Sequence, residues 1–197
     1  MTTSVDFWID PVCDWAWVTA RWLEEVQAIR DIDVNWRVMS LDLLNGGEQV
    51  AGNFAPVRAI EAARSLAGDA VAQQLLFAIG RRINVDGNTD ISAAIAESVA
   101  ECELSGSIAD ASRTDEFDAT VRASHIAAME LGGAGVGTPI IGIPGPGGER
   151  VGYFGPVLTA TPRGDAAGRL WDGLLILAAN PGFYELKKER QAKVVCD

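Results

Sequence analysis

A chain of 197 residues with 48% hydrophobic and 22% charged residues has the composition of one globular domain, or of a small domain carrying an insertion. Its net charge of −11, from 27 acidic against 16 basic residues, argues against nucleic acid and anionic membranes as partners, while leaving room for a local basic pocket. The longest purely apolar run, LLILAA at 174–179, is too short to span a bilayer.

The elements begin with VDFWID (5–10), a short apolar run closed by Asp-Pro that reads as a buried strand. MTTSVDFW has no basic stretch ahead of an apolar one, so no signal peptide is expected and a cytoplasmic location is. From Cys13 onward Trp15, Val18, Trp22, Val26 and Ile29 recur at steps of three and four, predicting an amphipathic helix. DVNWRVM (33–39) alternates polar and apolar residues and predicts a second strand. Strand, helix and strand in about 40 residues leave room for a right-handed crossover and a parallel pair.

Between Asn45 and Leu131 no strand pattern occurs. Ala-rich amphipathic stretches at 56–66, 69–83, 89–103 and 115–131 predict four helices, separated by GD, DGN and SGS breaks. Next, 139–143 and 151–154 are short apolar runs joined by a Gly/Pro-rich turn, an antiparallel hairpin. Residues 164–180 form a closing helix, and FYELKKERQAKVVCD a charged tail whose KKER is a solvated end. The predicted fold class is α/β: a thioredoxin fold made of residues 1–45 and 132–197, carrying an all-helical insertion at 46–131.

Cys13 falls at the first strand-to-helix junction, where unpaired N–H groups and the helix dipole favour thiolate. A free cysteine with a pKa of about 8.5 is about 3% ionised at pH 7; lowering it by roughly two units would make it about three quarters ionised. Asp14 opposes this unless its side chain caps the helix. The alternative is a buried, unreactive sulfur. The three cysteines, 13, 102 and 196, have no short spacing, which fits neither a disulfide framework nor a zinc site and suits a reducing compartment. No metal is expected.

The VGTPII run (136–141) sets Thr138 and Pro139 at the start of a strand, where an X-Pro bond can be cis. His125, the only histidine, is either the partner of Cys13 or a satisfied helical residue. Trp8 and Trp22 belong to the core, while Trp15 and Trp17 are candidates for a pocket mouth that takes a small hydrophobic or aromatic substrate. GGAGVG (132–137) precedes a strand instead of opening a helix, so it is not a phosphate cradle.

FWIDPVCDWAW, GVGTP, YFGPVL, AGRLWD and FYELKKER, in this order, resemble the DsbA-like oxidoreductases of actinobacteria. The mycothiol-dependent nitroreductase and FrnE-type proteins resemble it most; the wider set includes kappa-class glutathione transferases and 2-hydroxychromene-2-carboxylate isomerases. The resemblance implies a nucleophilic Cys13, a cis Pro139 and a low-molecular-weight thiol, mycothiol or glutathione, as cosubstrate. It also implies thiol or substrate binding by Trp15, Asn45, Thr138 and Pro139; His125 joins these binding candidates as the only histidine, not through the resemblance. The family motif Cys-Pro-Trp-Cys is Cys-Asp-Trp-Ala here, so Ala16 replaces the resolving cysteine. The Gly46–Ala55 segment is shorter than the family's lid.

A monothiol oxidoreductase is therefore expected, reducing disulfides or small electrophilic or nitro compounds through Cys13. The alternatives are a thiol-dependent transferase or isomerase and a non-catalytic binding protein.

Overall fold

The computed structural model describes residues 2–46 and 54–197. The shortened lid segment lies largely outside the described residues. The chain runs β1 (Thr3–Ile9), α1 (Asp14–Gln27), β2 (Ile32–Val38), a one-turn α2 (Leu41–Leu44), and then α3 (Ala55–Ala67) and α4 (Asp69–Asn84). It continues through α5 (Ile91–Glu101), α6 (Gly106–Ala111), α7 (Asp118–Gly132), β3 (Ile140–Pro144), β4 (Arg150–Phe154) and α8 (Gly164–Ala178).

The four strands form one sheet in the order β2-β1-β3-β4. β1 and β2 pair in parallel, with Thr3 opposite Ile32 and Ile9 opposite Val38, so α1 is the crossover expected from the sequence. β3 pairs antiparallel with β1 and with β4, completing a thioredoxin-type sheet. Alternation sorts the side chains onto two faces. Val5, Phe7 and Ile9, with Ile32, Val34, Trp36, Val38, Ile141 and Ile143, join the main core with Trp22 of α1 and Trp171 of α8. Trp22 Nε1 donates to Ala167 O at 3.1 Å, tying α1 to α8. Trp8, Met39 and Ile140 form a second, smaller core with Ala128 of α7.

The helices after β2 divide by what they pack on. α3, α4, α5 and α6 pack mainly on one another, whereas α7 packs on β2, β3 and β4. Residue 131, where the insertion was expected to end, thus falls inside a helix that covers the sheet. α7 comes close because Gly142 and Gly152 sit opposite each other in the β3–β4 register. A Cβ on Gly152 would lie 2.6 Å from the Leu131 carbonyl oxygen. α6 is an element absent from the sequence reading: Ser105 of the SGS break is its N-cap, its side chain accepting from Ser107 N at 3.3 Å. Among the described residues no helix is long and apolar enough to cross a membrane.

Candidate active site

β1 ends in IDPVC, and each residue of that turn has a task. Asp10 is completely buried; its carboxylate accepts from Val12 N at 3.1 Å and from Leu41 N at 2.8 Å, joining the loop before α1 to the start of α2. Cys13 N donates to Asp10 O at 3.0 Å, which closes the turn. Cys13 is then the N-cap of α1, with extended backbone at φ −86° and ψ 109°. Asp14, the first residue of α1, accepts from Trp15 N through Oδ1 at 2.8 Å, and its charge still adds to the rise at Cys13.

Cys13 is 8% exposed. It lines a cavity of about 200 Å³ with Trp15, Leu41 of α2, Gly137 and Thr138 ahead of β3, Phe154 at the end of β4, Val157 and Arg190. The Thr138–Pro139 peptide is cis, as the resemblance implied. Gly155–Pro156 is a second cis peptide, which the sequence reading did not anticipate. Thr138 Oγ1 is buried and has no hydrogen-bond partner among the described residues, leaving a polar atom in a cavity wall for a bound molecule to satisfy.

The electrostatics overturn the expectation of a thiolate. Burial pushes the Cys13 thiol up to about 11; the Asp10 and Asp14 carboxylates add to the rise, and the Ala16 and Trp15 amides only partly offset it. The helix N-terminus is present as predicted, but the sulfur has been taken out of water beside two acids. Asp10 is itself raised to about 7, chiefly by burial and further by Asp42, against the lowering effect of its two backbone donors. A carboxyl that titrates near neutrality therefore sits beside the nucleophile.

Of the residues selected from sequence, Cys13, Trp15 and Thr138 share the cavity wall, and Pro139 follows Thr138 directly. Asn45 does not line it: this residue is exposed at the end of α2. His125 does not line it either. It is 8% exposed on α7, and Nδ1 accepts from Ser40 N at 3.3 Å, which supports the turn into α2; burial, then Arg122, lowers its pKa. Trp17 is buried against Phe77, with ring centroids 5.8 Å apart, and lines a different cavity of about 550 Å³ beside Cys102. Of the charges around that larger space, Arg81 and Glu101 pair with each other at 2.9 Å, while Arg21 and Asp197 pair with Glu24 and Arg163 outside it. The smaller cavity is the candidate site because it holds Cys13 and Thr138 together.

Sequence reasoning missed Asp10, Phe154 and Arg190. The guanidinium of Arg190 lies 4.9 Å from the centre of the Trp15 ring, so KKER is not merely a solvated end. Its basic charge was visible, but nothing local in the sequence indicated that the segment folds back across α1.

Comparison with known proteins agrees with this geometry. The family described as Rv2466c-like, mycothiol-dependent nitroreductase Rv2466c, matches residues 12–188. An uncharacterised Mycobacterium tuberculosis protein, Rv2286c, is 30% identical over 200 residues, spanning 95% of this chain and 83% of its own. Among solved structures, the probable DsbA oxidoreductase SCO1869 of Streptomyces coelicolor aligns with a TM-score of 0.63 at 17% identity, covering 96% of this chain and 94% of that one. The cytosolic disulfide reductase DsbM of Pseudomonas aeruginosa, solved with GSH, aligns at 0.52 and 20%, covering 71% and 85%.

Proposed function

This chain belongs to the Rv2466c-like, mycothiol-dependent nitroreductase family, and from that premise we propose that it is a thiol-dependent oxidoreductase working through Cys13. The carrying observation is that Cys13, at the start of α1, shares one small cavity with Thr138 ahead of the cis peptide. Ionised Cys13 attacks one sulfur of a small-molecule disulfide; an S–S bond to Cys13 forms as the original S–S bond breaks, releasing the other half as thiolate. A second molecule of reduced thiol then attacks the mixed disulfide and frees Cys13. That step yields a mixed small disulfide, which another reduced thiol opens, so two thiols become one disulfide as one substrate disulfide becomes two thiols; for a small electrophilic or nitro substrate the same two thiols are the source of the two electrons.

The site suits such a cosubstrate in three ways. Thr138 Oγ1, unpartnered among the described residues, offers a hydrogen bond, Trp15 and Phe154 offer apolar surface, and Arg190 offers a positive charge for a carboxylate, a group glutathione carries and mycothiol does not. The thiol is mycothiol by the family's description and glutathione by analogy with DsbM, which was solved with GSH. Trp15, Thr138 and Pro139 are its proposed contacts; Asn45 and His125 act at one remove, through α2. The proposed setting is the cytoplasm, where free Cys13, Cys102 and Cys196 persist as thiols.

Burial of Cys13 favours one other reading. A protonated Cys13 can hydrogen-bond a bound thiolate instead of attacking it, which is transferase or isomerase chemistry. Intact-protein mass spectrometry separates the two. A Cys102→Ser, Cys196→Ser protein is exposed to oxidised mycothiol or oxidised glutathione, with Cys13→Ser added as control. One thiol added to Cys13 and removed by the reduced thiol is the expected result. Absence of an adduct at every pH eliminates disulfide chemistry at this site.

A further inference from the structure

Ala16 leaves the motif without a resolving sulfur, and it is completely buried. The molecule brings another cysteine to the same turn from its far end. Cys196 Sγ lies 3.9 Å from the carbonyl oxygen of Asp14, the residue that follows Cys13. Six residues earlier, Arg190 lies over Trp15 and lines the Cys13 cavity. The segment from 190 to 197 therefore meets α1 at two successive positions beside the nucleophile. Its end is fastened there: Val195 N donates to Thr159 O at 2.8 Å, and Asp197 accepts from Thr161 Oγ1 at 2.9 Å and from Arg163 Nη2 at 2.7 Å.

Building on the reading of Cys13 as the attacking sulfur, we propose that Cys196 is its resolving cysteine, delivered in trans to the motif by the C-terminal segment. A carbonyl oxygen lies about 5–6 Å from the Cα of the preceding residue, so the Cys196 sulfur is within about 10 Å of the Cys13 Cα. With about 2.8 Å from Sγ to its own Cα, the two Cα atoms are within about 13 Å, against the roughly 4.4–6.8 Å that a disulfide needs, so the bond closes by drawing the segment toward α1. Residues 185–191 form no helix or strand, and no residue beyond Ala178 belongs to the buried core. Cys102 lines the larger cavity, which Asp197 also reaches, whereas Cys196 contacts the turn that carries Cys13, so a Cys102–Cys196 link is the competing outcome.

The chemistry balances without another oxidant. Cys13 first takes half of a small disulfide, as above. Deprotonated Cys196 then attacks the Cys13 sulfur; the Cys13–Cys196 bond forms, the bond to the small thiol breaks, and that thiol leaves with the electron pair and takes up a proton. The net change is one small disulfide reduced to two thiols and two protein thiols oxidised to one disulfide, which two reduced small thiols later reopen. The route through a second small thiol remains available and is the one left when Cys196 is absent.

The test is non-reducing peptide mapping with intact mass after brief exposure to oxidised glutathione, using the wild-type protein, Cys196→Ser and Cys102→Ser. Wild type and Cys102→Ser are expected to lose two mass units and yield a Cys13–Cys196 linked peptide. Their Cys13 mixed disulfide should be at least about tenfold less abundant than in Cys196→Ser, because a tethered thiol acts at an effective concentration in the millimolar range. An equal, persistent Cys13 adduct in all three proteins overturns the proposal and leaves the oxidoreductase reading standing. A Cys102–Cys196 link overturns it as well. Absence of any Cys13 adduct, in Cys196→Ser included, overturns both.

Discussion

The two buried acids of the β1–α1 turn are Asp10 and Cys13; burial raises both, and the Asp10 carboxylate adds to the rise at Cys13. With Asp10 raised from 3.8 to about 7, the folded protein favours its protonated form. Its contribution to stability is therefore complete below pH 3.8, declines as pH rises, and is gone by about pH 7. Relative to Asp10→Asn, wild type should lose up to roughly 4 kcal/mol of unfolding free energy between pH 4 and 7, at about 1.4 kcal/mol per unit. Urea denaturation of both proteins across that range measures the difference; a flat difference would mean that Asp10 keeps ordinary acidity. Cys13 supplies the companion experiment. Its alkylation rate by iodoacetamide should climb about tenfold per pH unit from 7 to 10 with no plateau, since only the thiolate reacts. Asp10→Asn removes a neighbouring charge and should raise that rate roughly threefold at pH 8, about half a pKa unit. A wild-type plateau near pH 7 would restore the low-pKa thiolate that the helix N-terminus alone suggested.

At the level of elements, the sequence was readable where one period governs a whole face. β2 buries Ile32, Val34, Trp36 and Val38 and exposes Asp33, Asn35 and Arg37, the alternation from which the strand was predicted. Of the period predicted for α1, Val18, Trp22 and Val26 are buried, while Trp15 is half-buried at the cavity and Ile29 is exposed beyond the end of the helix. Two short helices escaped because capping serines were read as breaks or passed over: Ser105 opens α6, and Ser40 opens α2, accepting from Leu43 N at 3.4 Å. The close approach of α7 is also invisible locally, since it depends on Gly142 and Gly152 being partners across a hairpin. That contact yields a prediction. Gly152→Ala places a methyl against the Leu131 backbone, which cannot move aside as a side chain would. It should cost about 1–3 kcal/mol by urea unfolding, within the range for overpacked sites. An unchanged midpoint would show that α7 can lift from β4 at little cost.

On the scale of the whole molecule, the site is assembled from both ends of the chain, which is why sequence reasoning found half of it. Cys13, Trp15 and Thr138 were identifiable because a motif or a Thr-Pro pair marks them. Arg190 and Cys196 reach the site only through long-range contacts, with Trp15 and with the Asp14 carbonyl. This division predicts separable roles. The buried core ends at Ala178, and the fastening of residues 190–197 relies on exposed groups such as the Arg163–Asp197 pair, which contribute about 0–1 kcal/mol. Deleting 190–197 should therefore change unfolding free energy by less than about 1 kcal/mol. The same deletion opens the cavity wall that Arg190 supplies, so alkylation of Cys13 should become several-fold faster at fixed pH as solvent and reagent gain access. It also removes the one positive charge that lines that cavity among the described residues, so the KM for a carboxylate-bearing thiol should rise more than kcat falls. A large loss of stability with unchanged alkylation would instead make the segment a brace between α1 and α8, with no part in the chemistry at Cys13.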